Sequence, residues 1–442
     1  MDTAAGPVGL EPSSLAGFKE TPYWWDEVAP PELAPVELPQ SVDVAVIGSG
    51  YTGLNAALET VRGGRSTLVL DAEAAGWGCS TRNGGQISTS VKPSLDALAR
   101  RHGRERAAAI RREGVAALDW IEDFVMREAI DCDFRRSGRF HAAHTPRHYE
   151  ALVRQIGELD RDESIEAHAV PRAEQRRELG SDAYHGGVVF PRHAALHPAK
   201  YHKGLLTRAL ESGARVMSHC PVLAIERKGH EFSLATAKGK LTARDVVVAT
   251  NGYSSAITPW LRRRVIPIGS YVIATERLPD ELVDELFPTD RIVSDTCRVV
   301  YYYRAAPDRS RILFGGRVSA RETDPKVSGP RLKAELAHRF PELAEVGLSH
   351  SWAGTVAYSF DQIAHCGTHE GIHYAMGYCG SGVSMASYLG MRMGLRVLGR
   401  AEGRSAFDDL PFPTRPLYSG TPWFLPAVVA WYRWRDRLEQ GA

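Results

Sequence analysis

Within 30 residues near the start of the chain, the run Val42-Asp43-Val44-Ala45-Val46-Ile47 meets the turn Gly48-Ser49-Gly50-Tyr51-Thr52-Gly53. A helical pattern follows, and Leu68-Val69-Leu70 then closes on Asp71. These pieces specify a strand, a glycine-rich turn, a helix and a second strand ending in an acid. The three glycines differ in what they allow. Gly48 permits the tight turn, Gly50 admits a pyrophosphate to the backbone, and Gly53 lets the helix pack against the strand. The helix N-terminus offers N–H groups and a positive dipole end to phosphates. Asp71, eighteen residues after Gly53, is placed to accept hydrogen bonds from ribose hydroxyls. A glycine triplet alone arises in ordinary loops. Flanked in this way, it predicts a site for an adenine dinucleotide.

Length bounds the rest. At 442 residues the chain exceeds one ordinary core, so two domains are expected. Hydrophobic content of 43% and charged content of 24% are those of a globular protein. A net charge of +1 gives no case for nucleic acid or an anionic membrane surface. The cysteines, Cys79, Cys132, Cys220, Cys297, Cys366 and Cys379, form no CxxC pair, and no histidine cluster shows metal spacing. Disulfides and a metal site are therefore not expected, as suits a reducing cytoplasm. No signal peptide is apparent, and no apolar run reaches the roughly 18 residues of a membrane span. The stretch Trp423 to Tyr432, interrupted by Pro426 and followed by Trp434 and Arg437, is expected to pack on the body of the protein. Its alternative is an interfacial helix.

Residues 1–40, rich in Pro, Ala and Glu, read as an extended arm anchored by Tyr23-Trp24-Trp25. In the first helix Leu54, Leu58 and Val61 recur at i, i+4 and i+7, one apolar stripe. The loop Gly76 to Gln86 combines four glycines with small polar residues, which suits contact with a polar ring system; a plain surface loop is the alternative. Residues 94 to 130 turn helical, with Val115, Leu118, Ile121 and Val125 on one face. Short strands are predicted within 133–143, 187–191, 214–217 and 222–225. Asp245 to Thr250 reads as a parallel strand buried on both faces. Residues 265–275 and 298–318 alternate like antiparallel strands with one covered face. There are no internal repeats. Finally, Gly377-Tyr378-Cys379-Gly380-Ser381-Gly382-Val383 opens a second long helix. Two glycine-rich helix starts imply a cofactor gripped from both ends, as a flavin dinucleotide requires.

Together DVAVIGSGYTGLNAAL, GWGCSTRNGGQ, VVVATNGY, YYYRAAPD with ILFGGR, SWAGTVAYSFD, YAMGYCGSGV and PLYSGTPWFLP resemble the FAD-dependent oxidoreductases of the D-amino acid oxidase and glycine/sarcosine oxidase type. Within that group the chain is most similar to the γ-glutamylputrescine oxidase-like branch, from about residue 20 to 440. The resemblance implies an α/β (α+β) fold. A Rossmann-like FAD domain would come from residues 41–92, 195–255 and 350–400. An antiparallel-sheet substrate domain would come from 93–194 and 256–349, with a tail over 401–442. Carried over by position, Gly48, Gly50, Tyr51, Thr52, Gly53, Asp71 and Ala72 hold the ADP half. Gly78, Ser80, Thr81, Arg82, Asn83, Gly84, Gly85 and Gln86 lie along the flavin, and Val222 pairs its backbone with the adenine. Ala249, Thr250, Gly252, Gly354 and Asp361 join the cofactor site. Gly377, Gly380, Ser381, Gly382 and Val383 cover the pyrimidine side, where a helix N-terminus stabilises charge on the reduced ring. Some relatives tether flavin through a histidine where Arg82 stands, others through a cysteine near Gly354, so noncovalent FAD is expected. The oxygen-activating lysine of the sarcosine oxidases has no counterpart in Ile312-Leu313-Phe314, which leaves oxidase and dehydrogenase both open.

The expected reaction is amine oxidation: hydride passes from the carbon beside nitrogen to flavin N5, and the imine hydrolyses. Candidate catalytic or substrate contacts are His197, Tyr253, Tyr271, Tyr302, Tyr303 and Arg304, the arginine as a bidentate partner for a carboxylate. Each has a structural alternative: packing for the tyrosines, pairing with Asp308 for Arg304, a buried structural role for His197. The expected partners are a small amine and either oxygen or another electron acceptor, and the expected assembly is a monomer or small homo-oligomer. A nicotinamide-linked dehydrogenase and an electron-passing flavoprotein subunit are the rival readings.

Overall fold

The computed structural model describes residues 17–89, 91–157, 165–317 and 323–440. Residues 1–16 of the expected arm, residue 318 of the alternating segment and the Arg437 side chain lie outside the described residues. The strand Ser41–Ile47 sits at the middle of a mixed sheet, parallel to Thr67–Leu70 on one side and to Gly239–Val248 on the other. Both faces are covered, which is why Val44, Ala45 and Val46 are fully buried and the run is apolar without alternation. Arg215–Met217 extends the sheet beyond Thr67–Leu70, and Ile372–Met376 beyond Gly239–Val248, both parallel. Val222–Lys228 and Glu231–Thr236 add an antiparallel hairpin.

The helix Tyr51–Arg62 crosses the helix Gly382–Val397 at close range. A Cβ on Gly390 would fall 2.4 Å from the Thr52 carbonyl oxygen, and one on Gly394 2.7 Å from that of Ala56. This pair of glycines, which the sequence reading passed over, brings both glycine-rich helix starts to the same place. The helical stretch over 94–130 is two helices, Leu95–His102 and Arg104–Arg127, broken where Gly103 takes a φ of 82°.

A second sheet has the order Leu348–Ser359, Val265–Thr275, Ile312–Gly316, Tyr302–Ala305, Ile292–Asp295, Arg139–Ala142, Gly187–Phe190, His168–Val170. It is antiparallel except where Ile292–Asp295 runs parallel to Arg139–Ala142. Leu348–Ser359 starts the region assigned from sequence to the dinucleotide domain, yet it pairs with Val265–Thr275 in this second sheet. One row of the register reads Tyr302, Ser294, His141, Val188 across four strands. Residues opposite one another share a face, so this row lies on one side of the sheet and Tyr303 on the other. That other side packs Tyr303 with Phe287, Phe314 and Phe340 beneath the helix Pro325–Arg339.

The helix Leu425–Gln440 buries Leu425 and Val429 against Ile266, Ile268 and Tyr418. Its outward face leaves Trp431 and Trp434 more than half exposed, at 53% and 51%, and Trp423, just before the helix, is 67% exposed. Among the described residues no helix is long and apolar enough to cross a membrane.

Candidate active site

A single cavity of about 1670 Å³ runs from the first glycine turn to the inner face of the second sheet. Ordinary ligand pockets span roughly 300–1000 Å³, so this one has room for a dinucleotide and a second molecule. Its first wall is backbone. Gly48, with a φ of 104°, donates its N–H to Leu70 O, and a Cβ there would meet Ala249 O at 3.0 Å. Gly53 lies behind the wall, where a Cβ would fall 1.9 Å from Gly48 O. Gly50 caps the helix without a side-chain bond, Ser80 Oγ accepts the Tyr51 N–H at 3.0 Å, and Thr52 Oγ1 meets the Tyr378 hydroxyl at 2.7 Å. Asp71 also lines the cavity. Its Oδ2 accepts from Ser49 N at 2.7 Å and Ser49 Oγ at 2.5 Å, and its Oδ1 from Glu73 N at 3.0 Å, so it braces the turn that it faces. Ala72, Val222, Ala249 and Thr250 complete this end, together with Glu73, which the sequence reading missed.

The loop from Gly76 to Gln86 forms the next wall, with Gly78, Ser80, Arg82, Asn83, Gly84 and Gln86 on the cavity. It is held rather than loose. Asn83 Nδ2 donates to Cys79 O and Ser80 O while its Oδ1 accepts from Gly85 N. Three tryptophans fasten the loop: Trp24 Nε1 to Asn83 O, Trp25 Nε1 to Thr81 Oγ1, and Trp352 Nε1 to Arg82 O. The Arg82 guanidinium lies over both the Trp25 and the Trp77 rings, at 4.6 Å each, and donates to Trp77 O and Ala353 O. Thr81 and Gly85 work from behind: Thr81 Oγ1 donates to Gly76 O, and a Cβ on Gly85 would meet Leu196 O at 2.1 Å.

The second helix start closes the opposite side, with Gly380, Ser381, Gly382 and Val383 on the cavity and no side-chain cap at Ser381. Gly377 stands behind it, donating its N–H to Asn251 Oδ1 at 2.9 Å. Gly354 lines the cavity, where a Cβ would meet the Arg82 Cβ at 3.2 Å; at Gly252 it would meet Thr355 O at 3.0 Å. Asp361 is not on the cavity. Its carboxylate pairs with His365 Nε2 at 2.9 Å.

At the sheet end the sequence candidates divide. Tyr253 and Tyr302 line the cavity. Tyr253 accepts from Thr355 N at 3.2 Å, and Tyr302 shares a 2.9 Å hydrogen bond with Ser270, burial pushing its phenol up to about 12. The other four do not reach it. His197 is fully buried against Trp24, its Nδ1 accepting from Lys200 N as the cap of the helix Pro198–Glu211, and burial pushes it down to about 4. Tyr271 and Tyr303 point to the far face of the sheet, where Tyr271 accepts from Thr323 N and Tyr303 donates to the Tyr184 hydroxyl. Arg304 spends its donors on the backbone carbonyls of Gly85, Leu196 and Ala305, and so pins the glycine loop instead of facing a ligand. Strand parity separates these tyrosines, and parity is invisible in a composition of aromatics.

Side chains that the sequence reading did not select fill this end: Arg139, His141, His193, Ser294 and Lys92 from the body, and Leu425, Val428 and Tyr432 from the C-terminal helix. Away from the cavity, His144, His148 and Glu439 each bring a ligand atom within 4.8 Å of the others, a grouping absent from the sequence reading because Glu439 is so distant in the chain. Glu439 is already paired there with Arg298 and Arg435.

Residues 43–394 match the family model described as FAD dependent oxidoreductase. The chain is 31% identical over 436 residues to a probable oxidoreductase OrdL of Rhizobium meliloti (strain 1021), covering 94% of this chain and 98% of that protein. It is also 31% identical over 401 residues to the gamma-glutamylputrescine oxidoreductase of Escherichia coli (strain K12), covering 90% and 93%. Among solved structures, glycine oxidase from Geobacillus kaustophilus superposes with a TM-score of 0.70 at 17% identity, over 86% of this chain and 99% of that one. The chain belongs to the FAD-dependent oxidoreductase family of the D-amino acid oxidase type, and its cofactor is FAD. The donor set fits that group: uncapped helix starts, glycines that a Cβ would block, and an acid at the end of the second strand.

Proposed function

We propose that this enzyme oxidises an amine at the carbon beside nitrogen, with noncovalent FAD along the cavity. The observation that carries this reading is the continuity of one cavity from Gly48 and Asp71, past the loop at Gly84, to Tyr302 and His141 on the sheet. Gly48, Gly50, Tyr51, Thr52, Asp71 and Ala72 would hold the ADP half, the loop from Gly78 to Gln86 and Gly354 the ring system, and Gly380 to Val383 its pyrimidine side. FAD, when bound, would supply the two-electron oxidising power that turns the amine into an imine, which water hydrolyses.

The chain's own contribution is placement and exclusion of water. Tyr302 packs against Gly84, where a Cβ would lie 3.0 Å from its Cε2, so the loop and the sheet meet at that ring. Its hydroxyl is tied to Ser270 and stays protonated at neutral pH. Leu425, Val428 and Tyr432 roof the cavity and keep the reacting amine from bulk solvent. Cys79 also lines it, and burial pushes its thiol up to about 11, so it stays an uncharged neighbour and a poor nucleophile, in keeping with noncovalent flavin.

The same reading divides the chain into 41–92, 195–255 and 350–400 around the dinucleotide and 93–194 and 256–349 over the substrate, Leu348–Ser359 forming the seam. The test is product analysis in air with γ-glutamylputrescine. One aldehyde, one ammonia and one hydrogen peroxide per turnover support an amine oxidase. Aldehyde that appears only with an added dye makes the enzyme a dehydrogenase. No aldehyde or keto product from any primary amine, secondary amine or amino acid, under either condition, overturns the reading.

A further inference from the structure

The Arg139 side chain has no hydrogen bond or ion pair among the described residues, yet it lines the cavity and its Nε is buried without a partner. Burial alone pushes it down to about 10, no carboxylate acting on it, so it remains a cation at neutral pH. Among the other cations on the cavity, the Arg317 guanidinium lies over the Tyr358 ring at 5.2 Å, and three more hold polar or charged partners. Arg82 donates to two carbonyls, Lys92 donates to the Tyr358 hydroxyl at 2.7 Å, and Arg298 is bound to Asp436 and Glu439. A half-buried guanidinium with a buried Nε and no counter-charge is costly to keep, and a bidentate anion is the partner that matches its fork.

The surroundings suit such an anion. His141, two residues on and on the same face, is pushed down to about 4 by burial and by Arg139, so it is neutral. Its Nδ1 is committed to Ser294, whose Oγ lies at 2.9 Å. His193 is likewise held neutral by burial and lines the same lobe. The strand of Arg139 is separated from that of Tyr302 by the one strand Ile292–Asp295. Arg139 stands opposite Ile292 and Tyr302 opposite Ser294, so two strand spacings and a two-residue offset set their backbones roughly 12 Å apart, and the space between the two side chains is on the order of 10 Å.

We infer that Arg139 anchors an anionic group at the far end of the substrate, roughly 10 Å from the reacting amine. The preferred substrates are then extended amines ending in a carboxylate rather than short α-amino acids, whose two groups share one carbon and cannot reach both places. This rests on the amine-oxidation reading above and adds to it the length and charge of the substrate.

The test uses the FAD-loaded enzyme, Arg139→Gln and Arg139→Lys, with four probes: 8-aminooctanoate, 4-aminobutanoate, octylamine and octanoate. Anaerobic bleaching of the flavin reports reaction, and perturbation of the flavin bands by octanoate, which has no amine to oxidise, reports binding. The wild type should prefer 8-aminooctanoate to both octylamine and 4-aminobutanoate. Arg139→Gln should raise the half-saturating 8-aminooctanoate concentration roughly a hundredfold and weaken octanoate to a similar degree, with octylamine changed by less than about threefold. Arg139→Lys should recover part of the loss, because it restores charge but not the fork. Equal octanoate affinity in wild type and Arg139→Gln overturns the inference, as does a variant that loses octylamine and 8-aminooctanoate alike. A wild type that binds octanoate through Arg139 but bleaches with no amine would sink the functional reading and leave the anion site standing.

Discussion

At the dinucleotide end the cavity wall is main chain, whereas at the sheet end it is side chain. Gly48, Gly50 and Gly380 act by what they lack, and the helix starts at Tyr51 and Gly382 act through N–H groups that any sequence would supply. Arg139, His141, Ser294 and Tyr302 act by what they carry, and they come together only because three strands align in register. The first kind of site tolerates no added atom. The second tolerates added atoms but depends on which face of a strand a residue occupies. The two halves should therefore fail in different ways.

The largest effect is expected at Gly53→Ala. The new Cβ would sit 1.9 Å from Gly48 O and 3.1 Å from Val46 Cγ1, so the turn itself must move. A loss of about 3 kcal/mol in denaturant unfolding, with little flavin retained on purification, is expected. An Arg82→Met variant should come next. It removes two carbonyl contacts and the stacking between Trp25 and Trp77, and should weaken FAD by roughly 2 kcal/mol in a fluorescence titration without altering which amine is preferred.

The parity of one strand sharpens the comparison further. Tyr303→Phe removes one of the two buried donors to the Tyr184 hydroxyl, Arg339 Nε remaining at 3.0 Å, and should cost about 1 kcal/mol of stability while the half-saturating amine concentration stays unchanged. Tyr302→Phe should do the reverse, shifting amine saturation a few-fold at nearly unchanged stability. If the two variants behaved alike, the assignment of faces would fail.

The smallest effect concerns acid. His141, His144 and His197 are each pushed down to about 4 by burial. Unfolded histidine titrates near 6.5, so between about 6.5 and 4 the unfolded chain binds more protons than the folded one. Stability is then complete above about pH 6.5 and falls as pH drops toward about 4. His197→Asn keeps a cap acceptor for Lys200 N but removes one titrating group, and should flatten that slope in pH-dependent unfolding.

What was legible in the sequence follows the same division. The first βαβ unit, the second glycine-rich helix start and the parallel strand ending near Thr250 are local patterns, each contained in a few dozen residues, and each stands as its residues specify. The glycines at 390 and 394 were legible in principle, as a small-residue pair four apart on one helix face. The sheet end of the cavity was not. Tyr302 and Tyr303 are adjacent and chemically identical, and only the register with Ser294 and His141 decides which meets the cavity. Arg304 read as a partner for a substrate carboxylate or for Asp308, because the carbonyls of Gly85 and Leu196 that it does meet are backbone atoms more than a hundred residues away. Arg139 stood unnoticed in an arginine-rich stretch, where charge alone reads as a solvated face. The tryptophans that hold the glycine loop, Trp24, Trp25 and Trp352, came from two apparently separate contexts, two from an arm and one from a strand.

On the proposed function, one cavity would hold FAD at its main-chain end and an oxidisable amine at its side-chain end. The most direct test is made on a single purified sample. Flavin released by denaturation is quantified, and an untreated portion is mixed without oxygen with a carboxylate-bearing amine while the visible bands are followed. Close to one FAD per chain and full bleaching by that amine are the expected results. A chain that carries FAD but stays yellow with every amine tried, or one that remains colourless with added FAD, would contradict the two-ended cavity.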